Sequence, residues 1–250
     1  MTLLGIIGGS GLDRMDALQT VEERTLKTPY GPPSSPLLFG KITEREIVFL
    51  PRHGKNHSIP PHKINYRANI HALKRVGVTE ILAFAAVGGI STRFLPGTIV
   101  VPDQLIDYTW GRAHTFFDGV PLADPAIENG VRHIDFTSPF CPQLREAVIQ
   151  AARKANVEIG CRGTYAVTQG PRLETAAEID RLEKDGADVV GMTIMPEAAL
   201  AREMEMAYAC VALVVNEAAG RGPAGITMQA ISECLSAVRV DAMKILEHLR

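Results

Sequence analysis

No run of about eighteen apolar residues occurs anywhere in the chain, so no segment reads as a membrane span. Cysteine is scarce. The four present (Cys141, Cys161, Cys210, Cys234) show no C-x-x-C spacing, which argues against a disulfide framework, a zinc ribbon or a redox pair. Cys210 lies in an apolar strand pattern and reads as a small core residue. An excess of one charge is also missing: 26 Lys and Arg stand against 28 Asp and Glu, a formal charge of -2. A nucleic-acid partner would want a basic face, and none is expected. The first residues, MTLLGIIGGSG, lack the basic stretch and cleavage pattern of a secretion signal, so the expected location is the cytoplasm. What remains is 250 residues, 46% hydrophobic and 6% aromatic, enough for one sizeable core. With no internal repeat or linker, the expectation is a single domain over residues 1–250.

Strand and helix patterns alternate along that length, which predicts an α/β protein with a mixed, largely parallel sheet covered by helices. Short buried strands are predicted at Leu3–Ile7, Glu46–Pro51, Glu80–Val87, Ile99–Val101, Gly163–Thr168, Val189–Met192 and Ala209–Asn216. Helices are predicted from Asn65 and Tyr66 toward Lys74, over Pro142–Lys154, and from Glu174 and Thr175 to the Asp185-Gly186 stop. A last helix, Thr227–Leu249, spaces its apolar residues by three and four. Residues from about 105 to 140 form a long aromatic irregular stretch, a kind of segment that is usually functional or part of an interface.

Several polar residues fall at element ends, where open α/β sheets bind ligands. The loop Gly8-Gly9-Ser10-Gly11-Leu12 follows the first strand and suits an anion, or is a plain tight turn. Its spacing fails the G-x-G-x-x-G dinucleotide pattern. Arg52-His53 ends a strand and reads either as a phosphate clamp or as a solvated basic pair. His57 and His62 lack the i, i+4 helical pairing with a carboxylate that a metal site would want. Glu174 either serves chemistry or merely favours a helix start. Asn216 either binds or ends a strand, and Met192 either faces a ligand or fills the core.

Four stretches, GIIGGSGL, LPRHGKNHSIPPHKINYRANI, GPRLETAAE and GADVVGMTIMPE, occur in this order and together resemble the trimeric branch of the purine nucleoside and 5'-methylthioadenosine phosphorylase superfamily. The resemblance runs from Gly5 to about Leu249. It implies a distorted, barrel-like sheet surrounded by helices, a homotrimer, and no cofactor beyond inorganic phosphate as co-substrate. Phosphate would attack the anomeric carbon of a nucleoside through an oxocarbenium-like transition state, much as in glycoside hydrolysis. Matching positions for phosphate are Ser10, Arg52, His53, Thr193 and the backbone of Ala85-Ala86, where Ala85 replaces the family's threonine. For the nucleoside they are Met192, Tyr66 and Leu173.

Two departures bear on the substrate. Methylthioadenosine phosphorylases carry a serine after the corresponding turn and an Asp-x-Asp pair at the later strand end; here stand Glu174 and Asn216-Glu217-Ala218. A 6-oxopurine offers N1-H to a carboxylate and O6 to an amide NH2, whereas adenine inverts both groups. Members acting on inosine keep a histidine in the last helix region for the 5'-hydroxyl. After Asn216 this chain has only His248, and Met228 and Ile231 stand where methylthio-specific members keep aliphatic residues. His133 matches a residue that the methylthio branch lends to a neighbouring subunit. Together these imply phosphorolysis of 5'-methylthioinosine to hypoxanthine and 5-methylthioribose 1-phosphate. A methylthioadenosine phosphorylase, a 6-oxopurine phosphorylase for 5'-hydroxyl nucleosides, and a binding module without catalysis are the alternatives.

Overall fold

The computed structural model describes residues 2–9, 18–119, 130–223 and 225–249. The fold is organised by one long strand, β5 (Val78–Gly89), which is buried over most of its length. Its lower half pairs in parallel with β1 (Leu3–Gly8), up to Ile7 opposite Ala83. Its far end pairs antiparallel with β10 (Val189–Gly191) at Gly88 and Gly89. On its other edge β5 runs parallel to β11 (Ala207–Glu217) along nearly the whole strand.

From this fork the sheet extends in three directions. Beyond β1 lie β4 (Arg45–Pro51), β3 (Leu37–Ile42) and β2 (Gln19–Arg24). Beyond β10 lie β9 (Thr164–Val167) and β7 (Gln104–Asp107). Beyond β11 lie β6 (Ile99–Val100) and β8 (Ile159–Gly160). All eleven strands found among the described residues thus belong to one branched, mixed sheet.

Strand periodicity divides the core into two faces. Ile81, Ala83, Tyr208, Cys210 and Ala212 pack with α1 (Tyr66–Arg75) and α4 (Ile194–Glu203). Leu82, Phe84, Ala209, Val211 and Leu213 face α2 (Pro142–Lys154) and α5 (Met228–His248). The remaining helix, α3 (Ala176–Lys184), packs Ile179 and Leu182 against a third cluster that includes Val190. Each fully buried large aliphatic contributes about 1.5–3 kcal/mol, so the alternation in β5 and β11 fixes the register strongly. None of the helices among the described residues is long and apolar enough to cross a membrane.

The structure adds elements the sequence pattern does not announce. α4 buries eight of its ten residues, leaving no polar face to mark it as amphipathic, and Pro196 lies within it. β2 is exposed at every position and is held as a strand by its pairing with β3, not by any alternation of its own.

Candidate active site

The parallel strands β1, β4, β5 and β11 all end on the same side, where open α/β sheets place ligands. A cavity of about 640 Å³ lies there. Its lining includes Gly9, Arg52, His53, Ala85, Ala86, Leu173, Glu174, Met192, Thr193, Asn216, Met228 and Ile231. Twelve sequence positions from seven separate stretches therefore meet around one space. Ser10 lies outside the described residues.

At one end of the cavity the backbone of β5 is open. Its ladder with β1 stops at Ala83 and that with β10 begins at Gly88, so among the described residues no strand pairs with Phe84–Val87 on that edge. Arg52 fills part of it by donating from Nη1 to the Phe84 carbonyl at 2.8 Å. The paired edge of its guanidinium is taken by Glu197 of α4: Nε donates to Oε1 and Nη2 donates to Oε2 at 2.9 Å. Both side chains have no exposure. Burial opposes the charge on Arg52, but Glu197, by charge and hydrogen bonds, more than offsets this and holds its pKa above the ordinary value. One N–H on each terminal nitrogen remains for a ligand. The simple picture of a guanidinium presenting its bidentate fork to an oxyanion is thus revised: the fork belongs to the protein.

His53 is 4% exposed. Its Nδ1 stands 2.8 Å from the Ile59 carbonyl and its ring stacks on His57 with centroids 4.1 Å apart. Burial, then the Arg52 charge and His57, lower its pKa to about 3. His57, Ser58, Pro60 and Pro61 also line the cavity. In the sequence His57 stands out only as a residue without metal-site spacing, and nothing there marks the other three.

At the other end Glu174 and Asn216 enter. The helix start nearby is capped without Glu174: the Thr175 hydroxyl accepts from the Glu178 N–H and Glu178 accepts from the Thr175 N–H. This reciprocal box satisfies the first turn, so the bland role for Glu174 is already filled. Instead its Oε1 accepts from the Thr168 hydroxyl at 2.6 Å, leaving Oε2 for the cavity. Thr168 is brought there by β9 lying parallel to β10, its N–H donating to the Gly191 carbonyl at 2.8 Å.

Asn216 follows a bulge in β11. Val214 pairs with Val87 and Asn216 with Gly88, leaving Val215 as the extra residue. A bulge re-aims the side chains around it. Opposite, a Cβ on Gly88 would meet the Asn216 Nδ2 at 3.3 Å, so glycine there keeps room for the amide. Nδ2 donates to the Glu217 carbonyl at 2.7 Å, with one amide hydrogen and Oδ1 left over.

Met192 sits over Gly170, whose φ of 61° is in the left-handed region; a Cβ there would approach the Met192 sulfur to 2.4 Å. The α5 wall presents Met228, 75% exposed, and Ile231. Two expected residues lie elsewhere. Tyr66 is buried behind the lining, where its hydroxyl donates to the Pro61 carbonyl and accepts from Arg112; it supports the wall without being part of it. His133 is exposed and absent from the lining of its own chain's cavity.

Arg112 is a supporting residue that no sequence motif marks. Only 8% exposed, it donates to the carbonyls of Met192 at 2.9 Å, Met195 at 2.6 Å and Gln169 at 2.9 Å, and to the Gln169 side chain at 3.1 Å. One cation from the long irregular segment thereby ties together the ends of β9 and β10 and the start of α4.

A family model described as the phosphorylase superfamily matches residues 3–249. The chain is 52% identical over 235 residues to a probable S-methyl-5'-thioinosine phosphorylase of Pseudomonas syringae pv. tomato, covering 94% of this chain and 93% of that one. It is 47% identical over 246 residues to a 6-oxopurine nucleoside phosphorylase of Pyrococcus furiosus, covering 98% and 91%. Among solved structures, methylthioadenosine phosphorylase of Schistosoma mansoni in complex with adenine matches with a TM-score of 0.93 at 35% identity, over 100% of this chain and 90% of that one. The chain belongs to the phosphorylase superfamily.

Proposed function

We propose that this member of the phosphorylase superfamily cleaves 5'-methylthioinosine with inorganic phosphate, giving hypoxanthine and 5-methylthioribose 1-phosphate. The observation that carries this reading is the placement of Glu174. It is free of helix capping, anchored by Thr168, and lines one cavity with Asn216 and the apolar Met228 and Ile231. Glu174 accepts N1-H of the 6-oxopurine. The Asn216 amide donates its remaining hydrogen to O6 and accepts from N7-H through Oδ1.

Phosphate takes the end of the cavity with Arg52, His53, Thr193 and the open Ala85-Ala86 backbone, and Ser10 is proposed as a further contact. One phosphate oxygen forms the bond to C1' as the bond to N9 breaks, and the electron pair leaves on the purine, which is neutralised by a proton that N7 takes from solvent. Met192 lies against the ribose, Leu173 against the nucleoside. No cofactor takes part. Desolvating a 5'-hydroxyl against Met228 and Ile231 without a partner would cost about 1–3 kcal/mol, whereas a methylthio group loses nothing there.

The likeness to S-methyl-5'-thioinosine phosphorylases supports this reading. The likeness to a 6-oxopurine nucleoside phosphorylase supports its base half. In the assembly we propose, a homotrimer in the cytoplasm, exposed His133 closes the 5' end of a neighbour's cavity. The test compares methylthioinosine, methylthioadenosine and inosine with and without phosphate. Phosphate-dependent hypoxanthine release, fastest from methylthioinosine, is expected; faster cleavage of methylthioadenosine would overturn the base assignment. Sedimentation of a fully active monomer would remove the trimer.

A further inference from the structure

His53 presents a hydrogen-bond acceptor at the anion end of the cavity, where its neighbours present donors. The Ile59 carbonyl can only accept, so the proton of the neutral ring sits on Nδ1, 2.8 Å away. The other ring nitrogen, Nε2, then carries a bare lone pair. The cavity that His53 lines is lined as well by Arg52, with its two spare N–H groups, by Thr193, and by the stretch of β5 that no described strand pairs on that edge. His57 stacked on the His53 ring and Arg52 before it are the charged and titratable groups that bear on it. Glu197 is turned wholly to Arg52 and Tyr208.

We propose that the acceptor-only Nε2 of His53 makes this site select an oxyanion that carries its own proton, hydrogenphosphate over sulfate. The inference rests on the phosphorolysis reading and adds the form of the anion to it. Hydrogenphosphate brings a P–O–H group to donate to Nε2 and turns its remaining oxygens to the donors. Sulfate has the same size and charge but no proton near neutral pH, so two lone pairs would face each other. It can bind only after His53 takes a proton from solution. That step is disfavoured by burial and by the neighbouring cation, which together hold the ring neutral down to about pH 3.

The two anions are therefore separated by proton linkage as well as by affinity. Calorimetric titration of the whole protein with inorganic phosphate and with sulfate at pH 8, in buffers of different ionisation enthalpy, reads both. Phosphate is expected to bind at least about tenfold more tightly with almost no proton uptake. Sulfate is expected to take up close to one proton, and its affinity to rise about tenfold for each unit the pH is lowered toward 6.

His53→Gln, whose amide can donate as well as accept, is expected to bring the two affinities within about threefold. Sulfate binding as tightly as phosphate with no proton uptake would overturn the inference while leaving phosphate-dependent cleavage intact. If phosphate neither binds nor accelerates cleavage, the phosphorolysis reading falls and this inference with it. The wild-type linkage decides the matter even if the variant does not fold.

Discussion

Glu197 holds Arg52 in place from the opposite side of the cavity wall, with both side chains wholly buried and Tyr208 donating to the same carboxylate at 2.9 Å. The residue expected to meet phosphate is therefore oriented by a residue of α4, the helix that Thr193 immediately precedes. Removing the carboxylate leaves an uncompensated buried cation, a loss of about 3–5 kcal/mol. Glu197→Ala is expected to lower the unfolding free energy read from denaturant titration by that much. Glu197→Gln keeps the shape and part of the hydrogen bonding, so its main effect is expected in the phosphate KM. Arg52→Ala should weaken phosphate use by roughly tenfold or more, about 1.5–3 kcal/mol for a charge-assisted contact. Unchanged phosphate kinetics in Arg52→Ala would take that residue out of the site.

Gly170→Ala tests the seat of Met192. A methyl group would come within 2.4 Å of the sulfur, on a backbone at φ 61°, where an L-residue costs about 1–2 kcal/mol. Methionine is flexible and can swing away, so the expected result is modest destabilisation with a several-fold rise in nucleoside KM and an unchanged phosphate KM. Equal increases in both would point to general loosening and against a seat for the sugar.

Arg112 gives a second test of support. Its hydrogen bonds named here all go to uncharged oxygens, and lysine cannot reproduce a planar fork that spans three carbonyls. Both Arg112→Lys and Arg112→Ala are expected to lower kcat/KM for the nucleoside by a factor that corresponds to about 1–3 kcal/mol, the range for buried groups left without partners. Kinetics restored to wild type by lysine would show that charge alone matters.

Which parts were legible in the sequence follows from where each signal is stored. Pro142–Lys154 is marked by a proline at its first turn and by a one-sided apolar stripe, and the helix has those bounds. Glu174 and Asn216 were legible as types at element ends. The hydroxyl that anchors Glu174 was not, because the Thr168 contact depends on β9 lying beside β10. Glu197 and Arg112 were hidden for the same reason: Glu197 meets Arg52 from 145 residues away, and the partners of Arg112 lie up to 83 away. A charged residue in a sequence looks solvated until the fold buries it. Tyr66 misled in the reverse sense, since a tyrosine beside a functional stretch can equally turn inward to brace it.

The pH dependence of stability should carry a mark of His53. In the folded protein it stays neutral down to about pH 3, against an ordinary value of 6.5. Between those limits the unfolded chain binds the extra proton, so this contribution is complete above about pH 6.5 and declines as the pH falls toward 3, at up to about 1.4 kcal/mol per unit. Urea unfolding of wild type and His53→Gln from pH 7 to 4.5 should give curves that converge on acidification. Parallel curves would mean that the ring titrates normally in the fold.

Base choice rests on Glu174, Thr168 and Asn216 acting together, and the three make separable predictions. Of the contacts proposed to the base, the one from Asn216 to N7-H strengthens as the base leaves, so Asn216→Ala should lower kcat more than it weakens substrate binding. Glu174→Gln keeps the shape but removes both the acceptor for N1-H and the repulsion of a bare N1. Hypoxanthine release should fall and discrimination against methylthioadenosine should relax. Asn216→Asp offers the N6 amino group an acceptor and should push in the same direction. Thr168→Val leaves the carboxylate but takes away the hydroxyl that donates to it at 2.6 Å. With Glu174 free to rotate, activity on methylthioinosine should drop by about tenfold or less, near the 1.4 kcal/mol of one modest hydrogen bond. Preference for the 6-oxopurine should survive, since the acceptor is still present. Measuring kcat/KM for methylthioinosine and methylthioadenosine across the four variants separates these roles. If Thr168→Val relaxes the preference as strongly as Glu174→Gln does, the hydroxyl itself contacts the base, and Glu174 is only its anchor.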